Sequence, residues 1–176
     1  MNRNRHPFDV IAQLASLKRY ARSLARDPSD AEDLVHDALV KAYERRSTFK
    51  TGANLRNWLL SILHNTHIDR TRSDTARSRR DDAAGSDAEP VYPAAQEHSV
   101  RLAQVRQAFM RLPQDQREAL HLVAVEELSY QEAADALGIP IGTLMSRISR
   151  ARASLRDFES GASRRPHLRI IGGGNE

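Results

Sequence analysis

The sequence predicts an all-α protein built as two small helical domains joined by a flexible linker. Three observations lead there. Ala and Leu dominate the apolar residues while aromatics make up only 5%, a mixture that suits helices better than sheets. Apolar residues recur at helical spacing on both sides of the chain's middle. Between them, residues 73–99 (SDTARSRRDDAAGSDAEPVYPAAQEHS) show no periodicity and are rich in Ala, Ser, Asp, Gly and Pro. A stretch that long is unusual inside one compact domain and ordinary between two. The expected partition is 8–72, linker 73–99, 100–158 and a disordered tail 159–176.

In the first domain, Phe8 to Leu24 sets Phe8, Ile11, Leu14, Ala15, Leu17, Ala21 and Leu24 on one helical stripe. Ser29-Asp30-Ala31-Glu32 fits a capping box, in which Ser and Glu side chains satisfy unpaired amides at a helix start. From there Ala31, Leu34, Val35, Ala38, Leu39, Ala42 and Tyr43 form an inward face, leaving Glu32, Asp33, His36, Asp37 and Lys41 on the other sides. After Gly52 a third helix takes Leu55, Trp58, Leu59, Ile62, Leu63 and Ile68 inward. Arg56, Asn57, Asn65, His67, Arg70 and Arg72 are left outside.

In the second domain, Val100 to Arg111 and Asp115 to Glu127 read as helices separated by Pro113. A short helix with Ala133, Ala134 and Leu137 inward then meets a turn at Gly138. A further helix from about Pro140 buries Leu144, Ile148, Ala151 and Leu155. Thr143, Ser146, Arg147 and Arg150 face out. This is a helix-turn-helix: small residues allow close crossing, and the second helix can enter a major groove, where Arg reads guanine and Ser or Thr serves phosphates and base edges. Charge supports it. Residues 143–156 hold four Arg and no acid, whereas 115–135 hold six acids and one base. Residues 1–72 carry 13 basic against 8 acidic side chains, the pattern of a polyanion-binding surface.

Other chemistries are thinly represented. Cysteine is absent, which excludes disulfides and thiolate sites. His64 and His67 are three apart but lack an evident third ligand, so they read as polar residues on a solvated or nucleic-acid-facing helix and no metal is expected. Glu32, Asp33 and Asp37 come without a cleft or nucleophile and suit a solvated face or a protein-binding surface. No catalytic residue and no cofactor is implied. No apolar run is long enough for a membrane helix, so the expectation is a cytoplasmic protein without membrane insertion.

The residues also resemble a known family. Asp30-Ala31-Glu32-Asp33-Leu34-Val35, then Asn54-Leu55-Arg56-Asn57-Trp58-Leu59, then Asn65 with Asp69-Arg70, are similar to region 2 of extracytoplasmic-function (ECF) sigma factors. Leu112-Pro113, Gln116-Arg117-Glu118-Ala119, Ser129-Tyr130-Gln131-Glu132-Ala133-Ala134, Gly142-Thr143-Leu144 and Ser146-Arg147 resemble region 4. Gly52 to Leu59 is similar to the general-stress-response group within that family. Two positions depart from the pattern: Met145 stands where relatives usually carry Lys, and His36 where they usually carry Gln. The resemblance implies a promoter-recognition subunit under the control of an anti-sigma protein. Glu32, Asp33, His36 and Asp37 would dock on the clamp helices of the largest subunit of core RNA polymerase. Asn65 would touch an extruded base of the melted minus-ten promoter DNA, with Arg56, Arg70 and Arg72 on its phosphates. Thr143, Ser146, Arg147 and Arg150 would read the minus-thirty-five element. A stand-alone helix-turn-helix regulator, dimeric on a palindrome, is the alternative.

Overall fold

The computed structural model describes residues 8–25, 27–50, 52–78 and 97–163. These form seven α-helices: α1 (Leu14–Leu24), α2 (Pro28–Glu44), α3 (Leu55–Ser78), α4 (Glu97–Arg111), α5 (Gln114–Ala124), α6 (Tyr130–Leu137) and α7 (Ile141–Ser163). Two 3-10 turns, Ile11–Gln13 and Arg46–Thr48, precede α1 and follow α2. No strand occurs among the described residues. α2 lies against both α1 and α3 to make the first bundle, and α5, α6 and α7 pack on one another to make the second.

Helix starts and stops follow local chemistry, though not always at the expected residue. Ser29 is not the N-cap of α2. That place belongs to Asp27, whose carboxylate accepts from the Ser29 and Asp30 amides at 2.7 and 3.4 Å, with Pro28 in the first turn. A proline there needs no donor partner, and the cap moves two residues upstream. α3 runs on to Ser78, six residues into the expected linker, and α4 begins at Glu97 inside its other end. α7 likewise continues to Ser163, into the expected tail. The remainder of the linker, 79–96, and of the tail, 164–176, lies outside the described residues.

The expected inward faces also need three corrections. Ile11 is 80% exposed and Ala15 is exposed. The 3-10 turn at 11–13 advances three residues per turn instead of 3.6, so the stripe drawn from Phe8 loses phase. The buried face of α1 is Leu17, Tyr20, Ala21 and Leu24. Tyr43 is 64% exposed, its ring covered by the Arg46 guanidinium 4.3 Å from the centroid. Leu60, absent from the expected core, is fully buried. Phe8, Phe49 and Trp58 form an aromatic cluster with centroids 5.3–6.0 Å apart, which fastens the segment before α3 to the front of the chain.

The two bundles are packed together. α1 lies against α5 and α3 against α6, and one cluster of buried apolar side chains runs from Leu17 through Leu63 to Leu122 and Ile148. This contact explains Leu60: α3 has neighbours on more than one side, so its buried face is wider than a single bundle requires.

Candidate nucleic-acid and polymerase interfaces

The helix-turn-helix is assembled by two local devices. Ser129 and Glu132 form a capping box on α6: Ser129 Oγ accepts from the Glu132 amide at 3.2 Å, and the Glu132 carboxylate accepts from the Ser129 amide at 2.9 Å. These hydrogen bonds, chiefly those from Ser129, hold the Glu132 carboxyl below its ordinary range. At the other end Gly138 takes φ 65°, a left-handed position that costs other L-residues about 1–2 kcal/mol. Ile139 N–H then closes on the Ala134 carbonyl at 3.1 Å. Ala133 and Ala134 are buried where α6 crosses α7, and Leu144, Ile148 and Ala151 anchor α7 beneath them.

On α7, Arg150 is exposed. Thr143 and Ser146 are half-buried, with Ser146 Oγ donating to the Thr143 carbonyl at 2.9 Å. Arg147 does not stand free: its Nε lies 3.4 Å from Asp115 Oδ2 at the start of α5. The cause is that α5 and α7 pack directly, bringing the acid-rich segment against the base-rich one.

In the first bundle Glu32, Asp33, His36, Asn65 and Arg72 are exposed. Arg70 and Asp37, expected on separate surfaces, are joined. Arg70 donates to the Asp37 carboxylate at 2.5 and 3.1 Å and to the Asp33 carbonyl at 2.9 Å, tying α3 to α2. Arg56 is turned to the second bundle, where it donates to the carboxylate of Glu126 at 3.0 Å and also to its backbone carbonyl.

Glu126 is the residue that local sequence did not single out. It follows α5 in a turn where Glu127 takes φ 55°, and its side chain is 0% exposed. Arg19 grips it with two donors, Nε at 3.0 Å and Nη2 at 3.1 Å, and Ser16 Oγ donates to it as well. His121 Nε2 is 3.5 Å away. Burial pushes this carboxyl up, but nearby His121 and the hydrogen bonds from Arg19, Ser16 and Arg56 more than offset that and hold it well below the usual carboxylate range. Its partners Ser16, Arg19 and Arg56 are 70–110 residues earlier, so spacing along the chain gave no signal.

Further polar contacts accompany the apolar cluster between the bundles. Buried Arg117 donates to the Ser23 carbonyl at 2.6 Å and to the Leu112 and Met110 carbonyls at 2.9 and 3.1 Å. Asn57 donates to Glu132 at 2.7 Å. The Gln114 amide donates to both His67 Nε2 and Glu118 Oε1, each at 2.7 Å. His64 is buried, contrary to the expectation of a solvated face; its Nδ1 lies 3.3 Å from Tyr20 Oη and 3.7 Å from Glu118 Oε2. Burial, with the charges of His67 and Arg147, drives the His64 pKa down to about 4. Burial likewise lowers His67, raises Glu118 and raises Tyr20. The His64–Glu118 contact is therefore one between groups pushed toward their neutral forms. No group of three or more metal-ligating side chains occurs among the described residues.

Two helical modules, one of them a helix-turn-helix with a basic outer face, define a DNA-binding factor. Residues 11–77 match Sigma-70 region 2 and residues 102–155 match Sigma-70, region 4. The chain is 40% identical to the ECF RNA polymerase sigma factor EcfG of Rhodopseudomonas palustris, over 84% of this chain and 81% of that protein. It is 34% identical to the ECF RNA polymerase sigma factor SigM of Mycobacterium tuberculosis, over 86% and 76%. Its fold matches the sigma factor RpoE of Bartonella quintana, solved in complex with the anti-sigma factor NepR, with a TM-score of 0.77 and 35% identity over 86% of this chain and 94% of that one. The chain belongs to the ECF sigma factors, the subunits that direct RNA polymerase to promoters for transcription initiation. Among the described residues no helix is long and apolar enough to cross a membrane.

Proposed function

We propose that this sigma factor divides promoter reading between its two bundles and is held by an anti-sigma protein until a stress signal releases it. Arg150, with Thr143, Ser146 and Arg147, reads the minus-thirty-five duplex from the major groove. Asn65 receives an unstacked base of the minus-ten element, and Arg72, Arg56 and Arg70 hold its phosphates. Glu32, Asp33, His36 and Asp37 on α2 dock on the polymerase clamp helices. The protein works in the cytoplasm and performs no reaction of its own. Two modest grips become selective when polymerase fixes their separation, because the second contact is then made at high effective concentration.

The observation that supports this reading best is the capped helix-turn-helix, with Arg150 exposed on a helix whose opposite face is locked in the core. Anti-sigma control is supported by the likeness to RpoE, captured with its anti-sigma factor NepR. Assignment to the general-stress-response group rests on the Gly52-Ala53-Asn54-Leu55-Arg56-Asn57-Trp58-Leu59 stretch. The test is transcription in vitro. Core polymerase with this protein on a promoter library should initiate at a shared two-element motif. Initiation no better than core alone, or tight unaided binding to a palindrome, would overturn it.

A further inference from the structure

The tightest polar cluster between the bundles is asymmetric. Three of its groups, Ser16, Arg19 and Arg56, come from the first bundle and converge on one carboxylate from the second. Ser16 and Arg19 are three apart on α1 and share a face, and Arg56 Nε donates to Ser16 Oγ at 3.3 Å. α1 and α3 pack directly on one another, so the three donors stay together if the second bundle moves away. Arg19 and Arg56 are also partly open to solvent, at 51% and 32% side-chain exposure. What departs with the second bundle is the occupant, Glu126.

We propose that Ser16, Arg19 and Arg56 form an oxyanion site, which Glu126 fills while the bundles are closed and a DNA backbone phosphate fills when they part. The proposal deepens the promoter-reading role above and rests on it. A carboxylate and a phosphodiester each offer paired anionic oxygens, and the planar Arg fork serves both. Glu126 is thus an internal competitor for the DNA, and closing the bundles takes Arg56 out of use. DNA is favoured over an acidic protein partner because residues 1–72 carry an excess of basic side chains, and because Asn65 and Arg72 are exposed further along α3. Such a surface suits a repeating polyanion better than a single carboxylate.

The experiment uses the full chain and a fluorescein-labelled single strand of mixed sequence, about 30 nucleotides long, titrated across a range of salt. Glu126→Gln should bind it about fivefold more tightly than wild type, since the competing occupant is neutralised. Adding Arg19→Ala to Glu126→Gln should remove most of that gain and lower the slope of log affinity against log salt by about 0.7, one phosphate's worth. Arg19→Ala alone, at a side chain half open to water, keeps the test valid if Glu126→Gln melts early; it should lower the slope by the same amount at low salt. Unchanged affinity in Glu126→Gln, or a double variant that keeps the gain and the slope, would overturn the site. A poly-glutamate peptide that binds Glu126→Gln in place of the single strand would overturn the choice of DNA. Polymerase-dependent initiation is scored separately: its absence with the single-strand pattern intact counts against the promoter role and leaves the oxyanion site standing.

Discussion

The contact between the bundles should make this protein acid-sensitive well above the range where carboxylates titrate, and His64 is the residue responsible. The imidazole is buried against Tyr20 and Glu118, with His67 and Arg147 adding positive charge nearby, and its pKa falls from 6.5 to about 4. A histidine lowered in the folded state favours the unfolded chain once protons become available. Its effect is nil above 6.5 and grows as pH falls toward 4. At pH 5 linkage gives a loss of about 2 kcal/mol, and near pH 4 about 3 kcal/mol. For a chain of this size that corresponds to a fall in Tm of about 4–8 °C between pH 7.5 and pH 5. His67, lowered for the same reason, adds in the same direction. Glu118 works against both: burial raises its carboxyl, so its protonation favours the folded state as pH falls. Glu126, held low, begins to lose its stabilising effect only below about pH 4.5, outside the window. The assay is thermal melting from pH 7.5 to 5 of wild type and His64→Asn, which keeps a polar group near the Nδ1 position without a titrating ring. The variant should lose much of the acid sensitivity. An acid-induced fall in Tm of equal size in both proteins would mean that His64 is not the source of the sensitivity.

Three further outcomes are expected. Asp27→Ala should cost about 1 kcal/mol in a denaturant titration while Ser29→Ala stays within about 0.5 kcal/mol, because the cap of α2 is Asp27; the reverse order would restore Ser29 as the cap. Leu144→Ala removes a fully buried side chain from beneath the helix-turn-helix and should destabilise by about 2–5 kcal/mol, read as a lower midpoint of chemical unfolding. Arg150→Ala should weaken discrimination at the minus-thirty-five element by about 1–3 kcal/mol in a competition assay with polymerase holoenzyme, with core binding unchanged; loss of core binding would place the residue elsewhere.

Much of each bundle was legible because its signals are local. The 3.6-residue spacing on the second helix of the helix-turn-helix gave Leu144, Ile148 and Ala151 as core, and they are buried. Gly138 marked the turn, and a left-handed backbone is what it supplies. Where helix ends and faces differ from expectation, a neighbouring local signal competes. Ser29 and Glu32 satisfied one capping pattern while Asp27-Pro28 satisfied another, and a 3-10 turn shifted the phase of the first stripe. Met145, noted as a departure from the family pattern, is simply an exposed side chain on α7.

The candidate surfaces divide the same way. That Arg150, Asn65, Arg72, Glu32, Asp33 and His36 lie on outer faces follows from periodicity, because a helical stripe fixes its opposite side. Periodicity could not reveal that Arg56 meets Glu126, that Arg70 ties Asp37, or that Arg147 leans on Asp115, since each pairing depends on how helices distant in sequence cross.

The helices, the helix-turn-helix and the sign of charge on each face are therefore set locally, by residues within a turn or two of one another. Only the packing of helices distant in sequence closes the two bundles on each other and buries polar residues such as His64 on α3, Arg117 on α5 and Glu126 in the turn after α5. A buried polar group is stable only where its partner is, and each of these three has a partner distant in sequence: Tyr20 for His64, the Ser23 carbonyl for Arg117 and Arg19 for Glu126.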